Sequence, residues 1–331
     1  MSRRLLGVFI LVVMFFGFGT NAFAGKADGE DFIKWMDFDV PLEVLKQAYD
    51  YDVESQNSDV PLDFVQLLSY AAAKNWGNFK GRGPSAAMDD VVKRIRGGET
   101  MHEIAQDMEL YQFYLTAYQV VLGGFVGEYE VEVADENDPE NIIWERRYGL
   151  RAFSPMAKGY SFSHSDDFGN PRSYGYRRPH LGHDLFGSVG APIIAVEGGV
   201  VEATGWNQYG GWRIGIRTLD GKRYYYYAHL RKDKPYVEGL EVGQRVNAGD
   251  VIGYLGQTGY SRRENVNNIR EPHLHFGMQI IFDESQKDGR NQIWIDAYSI
   301  VRFLNKNRME VFRDENGEYH RTIKINNMPM E

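Results

Sequence analysis

The sequence contains no cysteine. No disulfide can staple the fold, and there is no thiol to carry a lipid anchor. Any metal site must be built from histidine, aspartate or glutamate. Histidine is itself scarce, with eight in 331 residues. Positive charge is in short supply: 37 lysines and arginines face 46 acids, for a formal net charge of -9. That balance argues against nucleic acid as the main ligand and against electrostatic capture by an anionic surface.

Long apolar runs are absent except at the start, where Arg3 and Arg4 precede LLGVFILVVMFFGFG. Ala22 and Ala24 then offer an A-x-A arrangement before Gly25. A basic segment, an apolar segment and a small-residue cleavage site together predict an export signal over residues 1–24. The run is short for a membrane span, so a membrane association is expected only if the segment stays uncleaved. The expected location is secreted or in the cell envelope.

Residues 25–134 read as helical. Leu42, Leu45 and Tyr49 recur at helical spacing, as do Phe64, Leu67, Leu68 and Ala71. Asp39-Val-Pro-Leu-Glu43 and Asp59-Val-Pro-Leu-Asp63 look like two similar helix starts, with Pro suited to the first turn and acids to the dipole. Thr100 and Glu103 are spaced as a capping box, opening two further helices that end at Gly123-Gly124. The acidic stretch DENDPEN opens an expected linker over 135–149. Beyond it, 150–305 is rich in Gly, Val, Ile and Tyr in strand-length runs broken by D-G and G-G turns, which predicts an antiparallel β domain. A short helix is expected within 293–307. The tail 306–331 carries a hairpin signal at Asn316-Gly317. The predicted fold class is therefore α+β, a helical N-terminal region followed by an antiparallel β-sheet domain.

Chemistry concentrates in that second domain. RPHLGHDLFG holds His180, His183 and Asp184, YAHL holds His229, and PHLHFG holds His273 and His275. On a strand, H-x-H puts both imidazoles on one face, because side-chain direction has a period of two. Gly182 and the following FGSVGAP make the first cluster loop and strand, not helix. Three protein ligands with a fourth position left open are the signature of catalytic zinc, which accepts imidazole nitrogen and carboxylate oxygen and needs no cysteine. Calcium and magnesium prefer more oxygens than this cluster supplies.

His180-x-x-x-Asp184 with His273-x-His275, the intervening AHL histidine, and the stretches GAPIIAVEGGVV and VGQRVNAGDVIGYLGQTG resemble the lysostaphin-like zinc endopeptidases that cut peptidoglycan. The resemblance covers roughly residues 150–300 and implies a metallopeptidase domain of the duplicated hybrid motif type. It implies that His180, Asp184 and His275 hold Zn2+, with His229 and His273 as the catalytic pair acting on a zinc-activated water. His273 is expected mainly to shuttle the proton, and His229 to meet the developing oxyanion or position the water. The implied substrates are stem or cross-bridge peptides of peptidoglycan. His183 is not required by the pattern. Of the four tyrosines 224–227, Tyr225 and Tyr227 are expected to line the groove. Arg263 lies in YSRRENVNNIRE (260–271), a connection longer than usual for the family, and is expected to meet a substrate carboxylate. The competing reading is a non-catalytic envelope scaffold or regulator that keeps the peptidase fold. Any protein partner of the helical region is unread, and two further readings, a zinc carboxypeptidase and a biotin- or lipoyl-type carrier, lack a needed acid and a needed lysine.

Overall fold

The computed structural model describes residues 34–135, 138 and 140–326. The expected export signal, residues 1–24, lies outside the described residues. The chain divides into two compact units: one comprises the helical part up to Gly123 with Asp283–Ile293, and the other Gly124–Phe282 with Trp294 onward.

Five helices make up the described helical part of the first unit. They are α1 Leu42–Ser55, α2 Phe64–Lys74, α3 Gly83–Arg96, α4 Met101–Ala105 and α5 Tyr111–Leu122. Helix α2 is buried over nine of its residues and packs against α3 and α5, because its run of Leu, Tyr and Ala is apolar nearly all round. The α4 capping box forms as its sequence indicates. Two features differ from the sequence reading. Helix α3 was not anticipated, since its Gly-Pro start resembles a loop, although Pro is tolerated in a first turn. Neither D-V-P-L motif caps a helix through its leading Asp: α1 begins after Pro41 without a side-chain cap, and Asp63 caps α2 through Gln66 N at 2.7 Å. Buried Asp52 completes that second cap by accepting from Phe64 N at 2.6 Å.

The second unit is built on antiparallel strands. Val126–Ala134 pairs with Ile142–Leu150 along its full length, so strands occupy the end of the stretch read as helical and most of the stretch read as a connector. The first strand does alternate, with Glu128, Glu130 and Glu132 on one face and Tyr129, Val131 and Val133 on the other, a signal the sequence reading passed over; its partner IIWERRYGL carries no such alternation. The main sheet runs in the order His183–Phe186, His273–Ile280, Arg223–Ala228, Ile214–Thr218, Gly199–Ala203, Arg245–Val246. A helix at Tyr298–Leu304 and a hairpin pairing Val311–Arg313 with Tyr319–Arg321 follow. That hairpin turns at Gly317, whose φ of +83° needs glycine's freedom.

One face of the sheet is core. Leu274, Phe276, Met278 and Ile280 all lie on it, buried, together with Ile216, Tyr225 and Tyr227. The other face carries His273 and His275, as the period-two rule demands.

Candidate active site

Register assembles the site. His275 stands directly opposite Asp184 on one side and Ala228 on the other, so Asp184 and His275 share a face of the sheet. His180 arrives from the segment just before Asp184, with its backbone held by Asn170 O and Gly169 N. Three ligand-type atoms then form a near-equilateral triangle. His180 Nε2 lies 3.0 Å from Asp184 Oδ1 and 2.9 Å from His275 Nδ1, and the third edge is 3.1 Å. Gly182 makes the approach possible, since a Cβ there would sit 2.4 Å from His275 Cε1.

The triangle fits a metal ion. A tetrahedral ion with bonds of about 2.0–2.1 Å needs donors roughly 3.3 Å apart. Two imidazole nitrogens and one carboxylate oxygen are a transition-metal set, too poor in oxygen for calcium. The surroundings favour a cation as well. Burial opposes charge on His180, but hydrogen bonds to Asp167 and Asp184 outweigh it and push its pKa up to about 9. Burial likewise works against the Asp184 carboxylate, yet His180 and His275 hold it well below the usual carboxylate range. The carboxylates that draw a proton onto His180 draw a metal ion to the same place.

Proton bookkeeping fixes how His180 faces that triangle. Arg172 Nη2 donates to Asp167 Oδ2 at 2.6 Å and to Asp184 Oδ2 at 3.0 Å, which uses both of its hydrogens. Its 2.9 Å approach to His180 Nδ1 is therefore a contact between two donors. The His180 Nδ1 proton goes to Asp167, whose carbonyl and carboxylate oxygens lie at 3.2 and 3.1 Å. Asp184 is left with Oδ1 alone facing the triangle.

Two more imidazoles border it. His229 and His273 have ring centroids 4.8 Å apart, and His229 lies 5.8 Å from His275. His229 Nδ1 meets Thr258 O at 2.9 Å, and His273 Nδ1 meets Glu271 O at 2.8 Å. A carbonyl only accepts, so each Nδ1 carries the proton and each Nε2 presents a bare lone pair. His229 sits just past its strand at φ +62°, a conformation held in place by its backbone bond to Gly210 O. Burial, reinforced by the neighbouring His273 and His275, pushes its pKa well below the ordinary histidine value.

This geometry agrees with three comparisons. A profile of peptidase family M23 matches residues 178–289, which span all five of these residues. Over that stretch the chain carries a domain of the peptidase M23 type. It is 28% identical over 321 residues to an L-Ala--D-Glu endopeptidase of Bacillus subtilis, covering 88% of this chain and 94% of that one. It is 41% identical over 98 residues to the glycyl-glycine endopeptidase ALE-1 of Staphylococcus capitis, of which it spans only 24%. A crystal structure of a candidate glycyl-glycine endopeptidase, lytM, from Ruminococcus gnavus shares the fold at TM-score 0.50 and 20% identity, over 82% of this chain and 90% of that one.

Within this M23 domain the tyrosine expectation is corrected. Tyr225 and Tyr227 are fully buried on the core face, with Tyr225 Oη bonded to Glu197 and Tyr227 Oη accepting from Val196 N at 3.1 Å. They line no groove. Tyr226 faces the site instead, 5.9 Å from the His275 ring and bonded to Asn207. Alternation alone leaves either pair free to face the site, and the register decides: Tyr225 stands opposite Met278 and Tyr227 opposite Phe276 on the core face. Arg263 is exposed on its loop and stands apart from the triangle's hydrogen-bond network.

Asp167 and Arg172 escaped sequence reasoning. They lie in a turn, DFGNPR, with no periodic signal, and gain meaning only when that turn folds against His180. His183 points away from the triangle, its Nε2 2.6 Å from His164 Nδ1, in a pocket shared with Tyr298.

Proposed function

We propose that this chain is an exported zinc metalloendopeptidase that hydrolyses peptide bonds of bacterial peptidoglycan, with the L-Ala–D-Glu bond as its first candidate. The observation carrying this reading is the His180–Asp184–His275 triangle flanked by two imidazoles whose bare Nε2 atoms are fixed by backbone carbonyls. The bond preference rests on the B. subtilis relative, which matches this chain nearly end to end, whereas the glycyl-glycine peptidase matches a fragment.

His180 Nε2, Asp184 Oδ1 and His275 Nδ1 would hold the ion. Zinc supplies Lewis acidity there, polarising the scissile carbonyl and bringing the pKa of water to about 7. His273 Nε2 takes the proton of the attacking water and returns it to the departing amine. It suits this role because the imidazolium so formed lies 3.7 Å from Asp184 Oδ1. His229, held neutral by its burial, accepts from the same water and aims it. As an acceptor at Nε2 it orients the water in preference to meeting an oxyanion.

The test is digestion of purified peptidoglycan by the zinc-loaded chain beside His273→Ala and His275→Ala, with products read by mass spectrometry. The wild type should release new amino-terminal D-Glu. His273→Ala should keep its zinc and lose about 10²- to 10⁴-fold in rate, while His275→Ala loses most of its metal. A zinc-replete wild type that releases nothing from any wall type would favour the scaffold reading.

A further inference from the structure

Beside the triangle, a short hairpin pairs Pro171–Arg172 with Arg178–Pro179, placing Arg172 directly opposite Arg178. Like charges at such positions destabilise a ladder. Arg172 is neutralised by Asp167 and Asp184. Arg178 has no such relief: among the described residues no carboxylate lies within ion-pair distance of it. Its Nη1 donates to Tyr174 O at 2.6 Å, which leaves the Nε–Nη2 edge without a protein acceptor. That edge is the one that grips a carboxylate with two parallel hydrogen bonds.

Arg178 is nonetheless held in place. Its guanidinium lies 4.6 Å from the ring centre of Tyr209, 5.6 Å from Tyr176 and 5.8 Å from Tyr260. Pro179 restricts its backbone to an extended form. Tyr260 in turn rests against His229 at 5.6 Å. Two extended residues, roughly 7 Å of chain, separate Arg178 from His180. A side chain one residue from a scissile bond at the triangle falls within that reach.

We propose that Arg178, seated among Tyr176, Tyr209 and Tyr260, is a carboxylate subsite that selects substrates with an acidic residue next to the scissile bond. The inference rests on the endopeptidase reading above and assigns its substrate class. A held guanidinium left without a carboxylate and placed opposite a second arginine breaks a local pairing rule beside a catalytic centre, and such places are where function is sought. The exposed Arg262, Arg263 and Arg270 of the 260–271 loop are poorer candidates, because solvent competes for them and nothing fixes their geometry.

The experiment uses the zinc-loaded full chain and two pairs of peptides. D-Glu-L-Lys-amide and D-Gln-L-Lys-amide lack the Ala–Glu bond and report binding by calorimetry. Their acetyl-L-Ala-extended forms report hydrolysis. The wild type should bind the acid roughly 10- to 100-fold more tightly than the amide. Arg178→Gln should abolish that ratio with zinc content unchanged, and Arg178→Lys should restore part of it. If Arg178→Gln fails to fold, Tyr209→Leu, which removes the nearest ring, should shrink the ratio instead. Equal binding of acid and amide by the wild type overturns the subsite, as does a preference that survives in Arg178→Gln. A preference in binding without cleavage of either extended peptide supports the subsite and rejects the proposed bond.

Discussion

Replacing Gly182 by alanine should strip metal from the site without substituting any of the three proposed ligands. The added Cβ would lie 2.4 Å from His275 Cε1, 2.5 Å from its Nε2 and 3.0 Å from Phe276 O, where ordinary contact begins near 3.4 Å. The carbonyl belongs to a ladder strand and cannot retreat, so the imidazole must move by about 1 Å. Metal–ligand distances tolerate only about ±0.2 Å. A displacement several times that size disengages His275 or forces the Gly182 segment, and Asp184 with it, off position. Disturbing even an outer partner of a metal ligand typically costs 10- to 100-fold in affinity, so a loss of roughly 100-fold or more in zinc affinity is expected. Strain in the apo-protein should be modest, about 1–3 kcal/mol, because the ring can swing toward the open side of the site. Competition with a chromophoric chelator measures the affinity, and circular dichroism checks the fold. Gly182→Ala with wild-type zinc affinity and an intact fold would refute the claim that His275 packs over Gly182 while ligating.

Two further outcomes follow from buried groups outside the site. Tyr225→Phe removes one donor from the buried Glu197 while Arg223 keeps its hold, so stability should drop by about 1–3 kcal/mol with KM unchanged; a melting point equal to wild type with raised KM would restore Tyr225 as a substrate contact. His183 is pushed down to about 4 by its burial and by His164. Its folded pKa lies below the unfolded value of about 6.5, so its contribution is full above that value and is lost as pH falls toward 4. Melting points should therefore fall between pH 7 and pH 5, with a limiting loss of about 3 kcal/mol toward pH 4, and fall less in His183→Gln. A bound cation nearby only strengthens the effect, and a variant that loses as much as wild type would contradict it.

The donor types of the candidate metal site were legible locally, whereas which three of them would serve as ligands was implied only by the family resemblance. His273 and His275 alternate on a strand, so one face is forced whatever the rest of the chain does, and absent cysteine narrows the remaining donors to imidazole and carboxylate. The helical segments 42–55, 64–74 and 111–122 were equally readable from apolar spacing, and Thr100 with Glu103 announced its own cap. Of the strands at 126–150, the second was not, since IIWERRYGL bunches its apolar and charged residues, whereas the alternation of EYEVEV at 128–133 was present and overlooked.

Residue types and spacing thus determined which chemistry was available: imidazoles paired on a strand, one acid four residues after a histidine, a glycine between them. Tertiary structure decided which atoms meet. Only the ladder register sets Asp184 against His275 and turns Tyr225 inward beside Met278 and Ile216 while Tyr226 stays at the site, only the fold-back of DFGNPR brings Asp167 and Arg172 to His180, and only the left-handed turn at His229 brings that ring to the site face. Side-chain direction along a strand is a local property, but which strands neighbour each other, and in what register, depends on burial summed over the whole sheet.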